Sequence, residues 1–100
     1  TSLKRSPAYP DVPTVAETVP GYQSTLWYAL LAPVGTPPAI LKRAHSEAIK
    51  AIAAPEMQER LLALGATPIG NKPQELQAFV RDEIQRWTKL VKQANISLNR

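Results

Sequence analysis

Hydrophobic and polar positions change their spacing along this chain wherever prolines and glycines stand. From Leu26 onward the run Leu26-Trp27-Tyr28-Ala29-Leu30-Leu31-Ala32 is apolar on both alternating faces. Gly21 and Pro33 bound it at a length that suits a strand better than a buried helix. A strand covered by helices on both sides reads this way, so a long buried strand is expected over residues 22–32. The period then lengthens to that of a helix. Ile40, Leu41, Ala44, Ala48 and Ile52 share one face, with Lys42, Arg43, Ser46, Glu47 and Lys50 opposite. That predicts an amphipathic helix over residues 37–53, with Thr36 as N-cap and Pro37 at the first helical position. Pro55 restarts the chain as a shorter helix with the stripe Met57, Leu61 and Leu64, and Gly65 follows as a left-handed C′ residue. Residues 66–70 contain Pro68 and suit only a short edge strand. Lys72-Pro73 opens the longest helix, to about Ala94, with Leu76, Phe79, Val80, Ile84, Trp87, Leu90, Val91 and Ala94 as its core face.

The segment before the strand obeys different rules. Pro7, Pro10, Pro13 and Pro20 each fix φ and remove a donor, so residues 1–21 can be neither one helix nor a central strand. An ordered loop is expected there. Its one interruption is a short helix at Thr14-Val15-Ala16-Glu17, whose ends have the spacing of a capping box.

The predicted order is a Pro-rich loop, a long strand, two helices, a short edge strand and a long helix: an α/β pattern with too few strands. A single two-faced strand leaves its backbone groups without partners. Either copies of the chain complete the sheet between them, or the neighbouring strands lie in sequence outside these 100 residues. The second is expected.

Charge narrows the function classes. Lys4 and Arg5 cancel Asp11 and Glu17, so the net +4 arises beyond residue 36, where ten basic residues face six acidic ones. The basic residues do not cluster, and the longest basic run is the pair Lys42-Arg43. A solvated helix surface explains this better than nucleic-acid binding. The absence of cysteine excludes disulfides and thiolate chemistry. The longest apolar run is far shorter than the roughly 20 residues of a membrane-spanning helix.

Candidate catalytic groups are few. His45, the one histidine, sits at the edge of an apolar helix face with no nucleophile placed for it, and reads as a half-buried structural residue. With one histidine and no acidic cluster, neither a metal site nor a cofactor is expected. The four glycines are scattered singly, so no phosphate-cradling loop exists. Glu83 projects into the apolar stripe of the last helix, where a carboxylate needs a partner; a salt bridge is expected rather than a raised pKa. Trp27 and Tyr28 lie on opposite faces of the expected strand, so that one fills core and the other can reach a cleft. Ser24 and Thr25 at the strand entrance suit ligand contacts, since sites in α/β folds gather at strand ends.

The wording of the chain adds more. Residues 5–17, Arg-Ser-Pro-Ala-Tyr-Pro-Asp-Val-Pro-Thr-Val-Ala-Glu, are followed in register by Pro20-Gly21-Tyr22, Trp27-Tyr28-Ala29-Leu30-Leu31-Ala32-Pro33 and Gly35-Thr36-Pro37. Residues 61–65, Phe79-Val80-Arg81, Glu83-Ile84 and Arg86-Trp87 continue the series. Together they resemble Bug-type (TctC-like) solute receptors, the periplasmic binding proteins of tripartite tricarboxylate transporters. The resemblance implies the C-terminal segment, about a third, of a type II periplasmic-binding-protein fold. Residues 1–21 would close the second lobe, and residues 22–100 would return through the hinge to the first. It also implies a non-enzymatic, periplasmic receptor for a small organic anion: a di- or tricarboxylate, an amino acid or a related metabolite. Its partners would be transporter membrane subunits and the N-terminal part of its own chain. Ser24, Thr25 and Trp27 would lie near the cleft. Lys72 departs from the resemblance, standing where Ser or Thr commonly caps. The competing reading is a free-standing, self-associating interaction domain without a ligand site.

Overall fold

The computed structural model describes residues 1–97. A first compact unit is Thr1–Pro68, and a second begins at Ile69.

The first unit opens with the Pro-rich segment, which is ordered by turns. Tyr9 N–H donates to the Ser6 carbonyl at 3.0 Å and Val12 N–H to the Tyr9 carbonyl at 3.1 Å. The expected short helix is one 3₁₀ turn, Val15–Glu17. Gly21, with φ +81, turns the chain out of the segment at a left-handed angle that suits glycine.

Residues 22–33 then run without a helix, turn or bend. The predicted strand over residues 22–32 is not formed as a strand, and neither is the predicted edge strand over residues 66–70; no strand occurs among the described residues. The reason is physical. A strand exists through ladder bonds to neighbours, and the run lacks neighbouring strands on either side. The expected burial fails with it: Leu26, Tyr28, Leu30 and Leu31 are each more than 80% exposed. One trace of pairing is present. The main-chain nitrogen of Thr1 donates to the Ser24 carbonyl, and Ser24 N–H donates back to the Thr1 carbonyl at 3.0 Å.

Thr36 closes a turn with the Pro33 carbonyl through both its N–H, at 3.2 Å, and its hydroxyl, at 2.8 Å. Gly35 holds φ +86 inside that turn. Thr36 is therefore not the N-cap predicted for the first helix. Helix α1 is Pro38–Ala53, and Pro37 is its N-cap, at φ −55 and ψ 137. A residue before proline is pushed out of the helical region, which moves the start one place beyond the expected Pro37. Ala54 repeats the device before Pro55, ending α1 and opening helix α2, Pro55–Ala63. The two helices pack against each other. Gly65, at φ +68, ends α2 as expected: Ala66 N–H reaches the Leu61 carbonyl at 2.8 Å and Gly65 N–H the Leu62 carbonyl at 2.9 Å. This bond pair is a Schellman motif.

The second unit holds helix α3, Pro73–Gln93. Lys72 supplies no side-chain cap, but Glu75 reaches back to accept Lys72 N–H at 2.7 Å. Asn95, at φ 54, ends the helix with a second Schellman pair, from Ile96 N–H to the Val91 carbonyl and Asn95 N–H to the Lys92 carbonyl. Residues 98–100 of the predicted 22–100 segment lie outside the described residues.

The predicted core faces are in place, but none is buried. Among the described residues no apolar side chain reaches burial, and Thr14 alone does. An amphipathic helix is buried by what covers its stripe, and the packing of α1 on α2 takes Ala48, Ile52 and Leu61 only to half-burial.

Candidate functional site

The best-organised side chains lie in the Pro-rich segment. Arg5 presents its guanidinium edge to Glu17, with Nε to Oε1 and Nη2 to Oε2 both at 2.7 Å, while Nη1 reaches the Pro10 carbonyl at 3.1 Å. Planar two-point pairing of this kind fixes direction as well as distance. Glu17 Oε1 also accepts Thr14 N–H at 3.1 Å. Arg5 first, and then that N–H, hold the Glu17 carboxyl well below its ordinary value, at about 2. The capping box is half made by strict geometry. Glu17 reaches back, but Glu17 N–H goes to the main-chain carbonyl of Thr14 at 3.2 Å rather than to its hydroxyl. The Thr14 hydroxyl is buried without a hydrogen-bond partner among the described residues. Thr14 also lines a cavity of about 350 Å³, together with Thr1, Ser2, Lys4, Ser6, Tyr9, Val12 and Pro13. Lys4 is the charged side chain of that lining, and none of the lining residues is acidic.

The sequence-predicted contacts lie elsewhere. None of Ser24, Thr25 and Trp27 lines the cavity. Ser24 is exposed and tied through its main chain to Thr1. Thr25 is half-buried and Trp27 is 37% exposed. In an extended run alternate side chains share a side, which puts Thr25 and Trp27 together and Ser24 opposite. The three residues do not converge on one point in this structure.

Glu83 finds its salt bridge within its own helix. Arg86, one turn on, approaches Glu83 Oε1 at 2.8 Å and Oε2 at 3.0 Å, and Trp87 Nε1 donates to Oε2 at 3.1 Å. Residues three and four apart face each other on a helix, so the carboxylate that breaks the apolar stripe is satisfied locally. The Arg86 guanidinium stands 5.1 Å from the Trp87 ring centre, within cation–π range. His45 is half-buried on α1. Among the described residues no group of acidic, histidine or cysteine side chains could hold a metal ion. Nor is any helix there long and apolar enough to cross a membrane.

Sequence reasoning missed Arg5 as the organiser of the Pro-rich segment. Its partner is twelve residues away across three prolines, a separation with no helical or strand period to betray it. The cavity gave no sequence signal either, because its lining is neither charged as a set nor periodic.

Comparison with known proteins places this arrangement. The family model for the tripartite tricarboxylate transporter family receptor (TctC) matches residues 1–96. A protein in the tcbD–tcbE intergenic region of a Pseudomonas species is 40% identical across 99% of this chain and 30% of its own length. Protein BugT of Bordetella pertussis is 36% identical across 97% of this chain and 30% of its own. Among solved structures, the periplasmic binding protein BugD superimposes with a TM-score of 0.83 at 36% identity, over 97% of this chain and 33% of that one. The chain thus spans about a third of the length of these relatives.

Proposed function

This chain belongs to the tripartite tricarboxylate transporter receptor family, and on that premise we propose that the whole protein is a solute-binding receptor rather than an enzyme. The observation that carries the proposal is the match over residues 1–96, joined to the backbone likeness to a periplasmic binding protein. In this reading the receptor works in the periplasm, takes a small organic anion such as a di- or tricarboxylate, an amino acid or a related metabolite, and delivers it to transporter membrane subunits. Residues 1–21 finish one lobe, residues 22–100 return to the other, and residues 22–32 become a strand once the rest of the chain is present. Ser24, Thr25 and Trp27 then stand beside the interlobe cleft, and binding proceeds by lobe closure. The net +4 supports an anionic ligand only by steering.

The test is thermal unfolding of the full-length protein against tricarboxylates, dicarboxylates and amino acids. A true ligand at about a hundred times its Kd stabilises by about 2.7 kcal/mol, a clear rise in Tm. No shift with any organic anion, together with no saturable heat of binding, would overturn the reading.

A self-associating domain is the second reading, favoured by the exposure of both faces of the run from Leu26 to Val34. It requires unfolding that depends on protein concentration. A concentration-independent transition and a monomer in sedimentation would remove it.

A further inference from the structure

Thr1 and Ser24 exchange both of their main-chain hydrogen bonds: the Thr1 nitrogen donates to the Ser24 carbonyl, and Ser24 N–H donates to the Thr1 carbonyl at 3.0 Å. Mutual exchange of this kind defines a hydrogen-bonded pair of an antiparallel ladder. It sets direction and register together. Moving back from Thr1 corresponds to moving forward from Ser24. The run it points along has no turn or bend over residues 22–33, is apolar on both faces from Leu26 onward, and its exposed side chains include Leu26, Tyr28 and Leu30. The relatives are about three times as long as this chain, so polypeptide outside these residues is available to lie there.

We infer that the run beginning at Ser24 is the docking edge for the stretch of full-length chain immediately before Thr1, paired antiparallel with Thr1 opposite Ser24. The residue just before Thr1 faces Thr25, the second faces Leu26 and the third faces Trp27. The Thr1–Ser24 pair is hydrogen-bonded, so the pair at Thr25 is of the close, non-hydrogen-bonded type and the pair at Leu26 is hydrogen-bonded again. The amides of Leu26, Tyr28 and Leu30 point into this ladder, and those of the odd-numbered residues point to the run's other edge. A slip of one residue would turn every upstream side chain to the opposite face, so the register is a sharp statement. The inference rests on the receptor reading for the length of the whole chain, and not on any ligand.

The experiment pairs Thr25→Cys with cysteine at the residue immediately before Thr1, in full-length protein otherwise free of cysteine. Non-hydrogen-bonded antiparallel pairs have Cα atoms about 4.5 Å apart, within the reach of a disulfide. The expected result is an intrachain bond on mild oxidation, seen as a mobility shift that reductant reverses. Moving the upstream cysteine one residue further away should abolish it. Cross-linked dimers would instead identify a second copy as the occupant, and no bond in folded protein would refute the ladder; either overturns the inference. If the variants do not fold, the unmodified protein decides. An Hα–Hα nuclear Overhauser effect between Thr25 and the residue before Thr1 is expected in the assigned spectrum, and its absence overturns the register. Organic-anion binding that persists while the cross-link fails would sink this inference and leave the receptor reading standing.

Discussion

Arg5 and Glu17 meet across twelve residues and hold the Pro-rich segment in one shape through a paired contact and the Pro10 carbonyl. Glu17 has a depressed pKa, so its contribution is present above its ordinary value near 4.5 and is lost as pH falls through about 2. Arg5→Gln should raise the Glu17 pKa toward that ordinary value without reaching it, because Thr14 N–H still donates. A carboxyl NMR titration checks this, and a value still near 2 would show that Arg5 is not the cause. Glu83 serves two donors, Arg86 and Trp87, with its own side chain only 13% exposed. Glu83→Ala should destabilise the full-length protein by about 1–3 kcal/mol, the range for bonds to a charged group. Glu83→Gln should recover part of that, since an amide oxygen still accepts. Equal losses in denaturant for both variants would mean that the side chain matters by its charge alone. Of these contacts, Glu83's need for a partner and the reach of Glu17 back to Thr14 N–H could be read from the sequence, because both follow local helical spacings, whereas the Arg5–Glu17 pair follows none.

At the scale of elements, the helices were legible because their signals are local. Prolines mark the starts of α1, α2 and α3, and left-handed residues end α2 and α3. Gly65 is the clearest case: a Cβ added there meets nothing within 4 Å, so the cost of a side chain is backbone strain alone. Gly65→Ala should cost roughly 1–2 kcal/mol. Gly65→Asn should cost less, because Asn tolerates the left-handed region, as Asn95 does at the end of α3. Chemical denaturation of the full-length variants measures both, and equal costs would refute the backbone explanation. The start of α1 differed from expectation through a rule equally local, the restriction that Pro38 places on Pro37. The strands were another matter. Their composition is in the sequence, but their hydrogen bonds belong to other segments.

At the scale of the molecule, no apolar side chain among the described residues is buried. Ordering the backbone costs about 1–2 kcal/mol per residue, and chiefly apolar burial offsets it. The isolated 100-residue segment should therefore melt without a cooperative transition and bind a hydrophobic dye, whereas the full-length protein should unfold in one or two sharp steps. A sharp calorimetric peak for the segment alone would contradict this. If the full-length protein is the proposed receptor, Trp27→Ala should weaken ligand binding or lower Tm, and His45→Ala should leave binding intact. Unchanged affinity and Tm for the first would remove Trp27 from the site, and a tenfold loss for the second would bring His45 into it.

The family, the helix boundaries and the amphipathic faces were determined by the sequence itself, because each depends on residues close together in the chain or on wording in fixed order. The tertiary structure decided what depends on distant groups meeting: the Arg5–Glu17 pair, the cavity beside Thr14 and the Thr1–Ser24 register. Periodicity can say that a surface is made to be covered. What covers it is fixed by contacts between segments, and these follow no spacing along the chain.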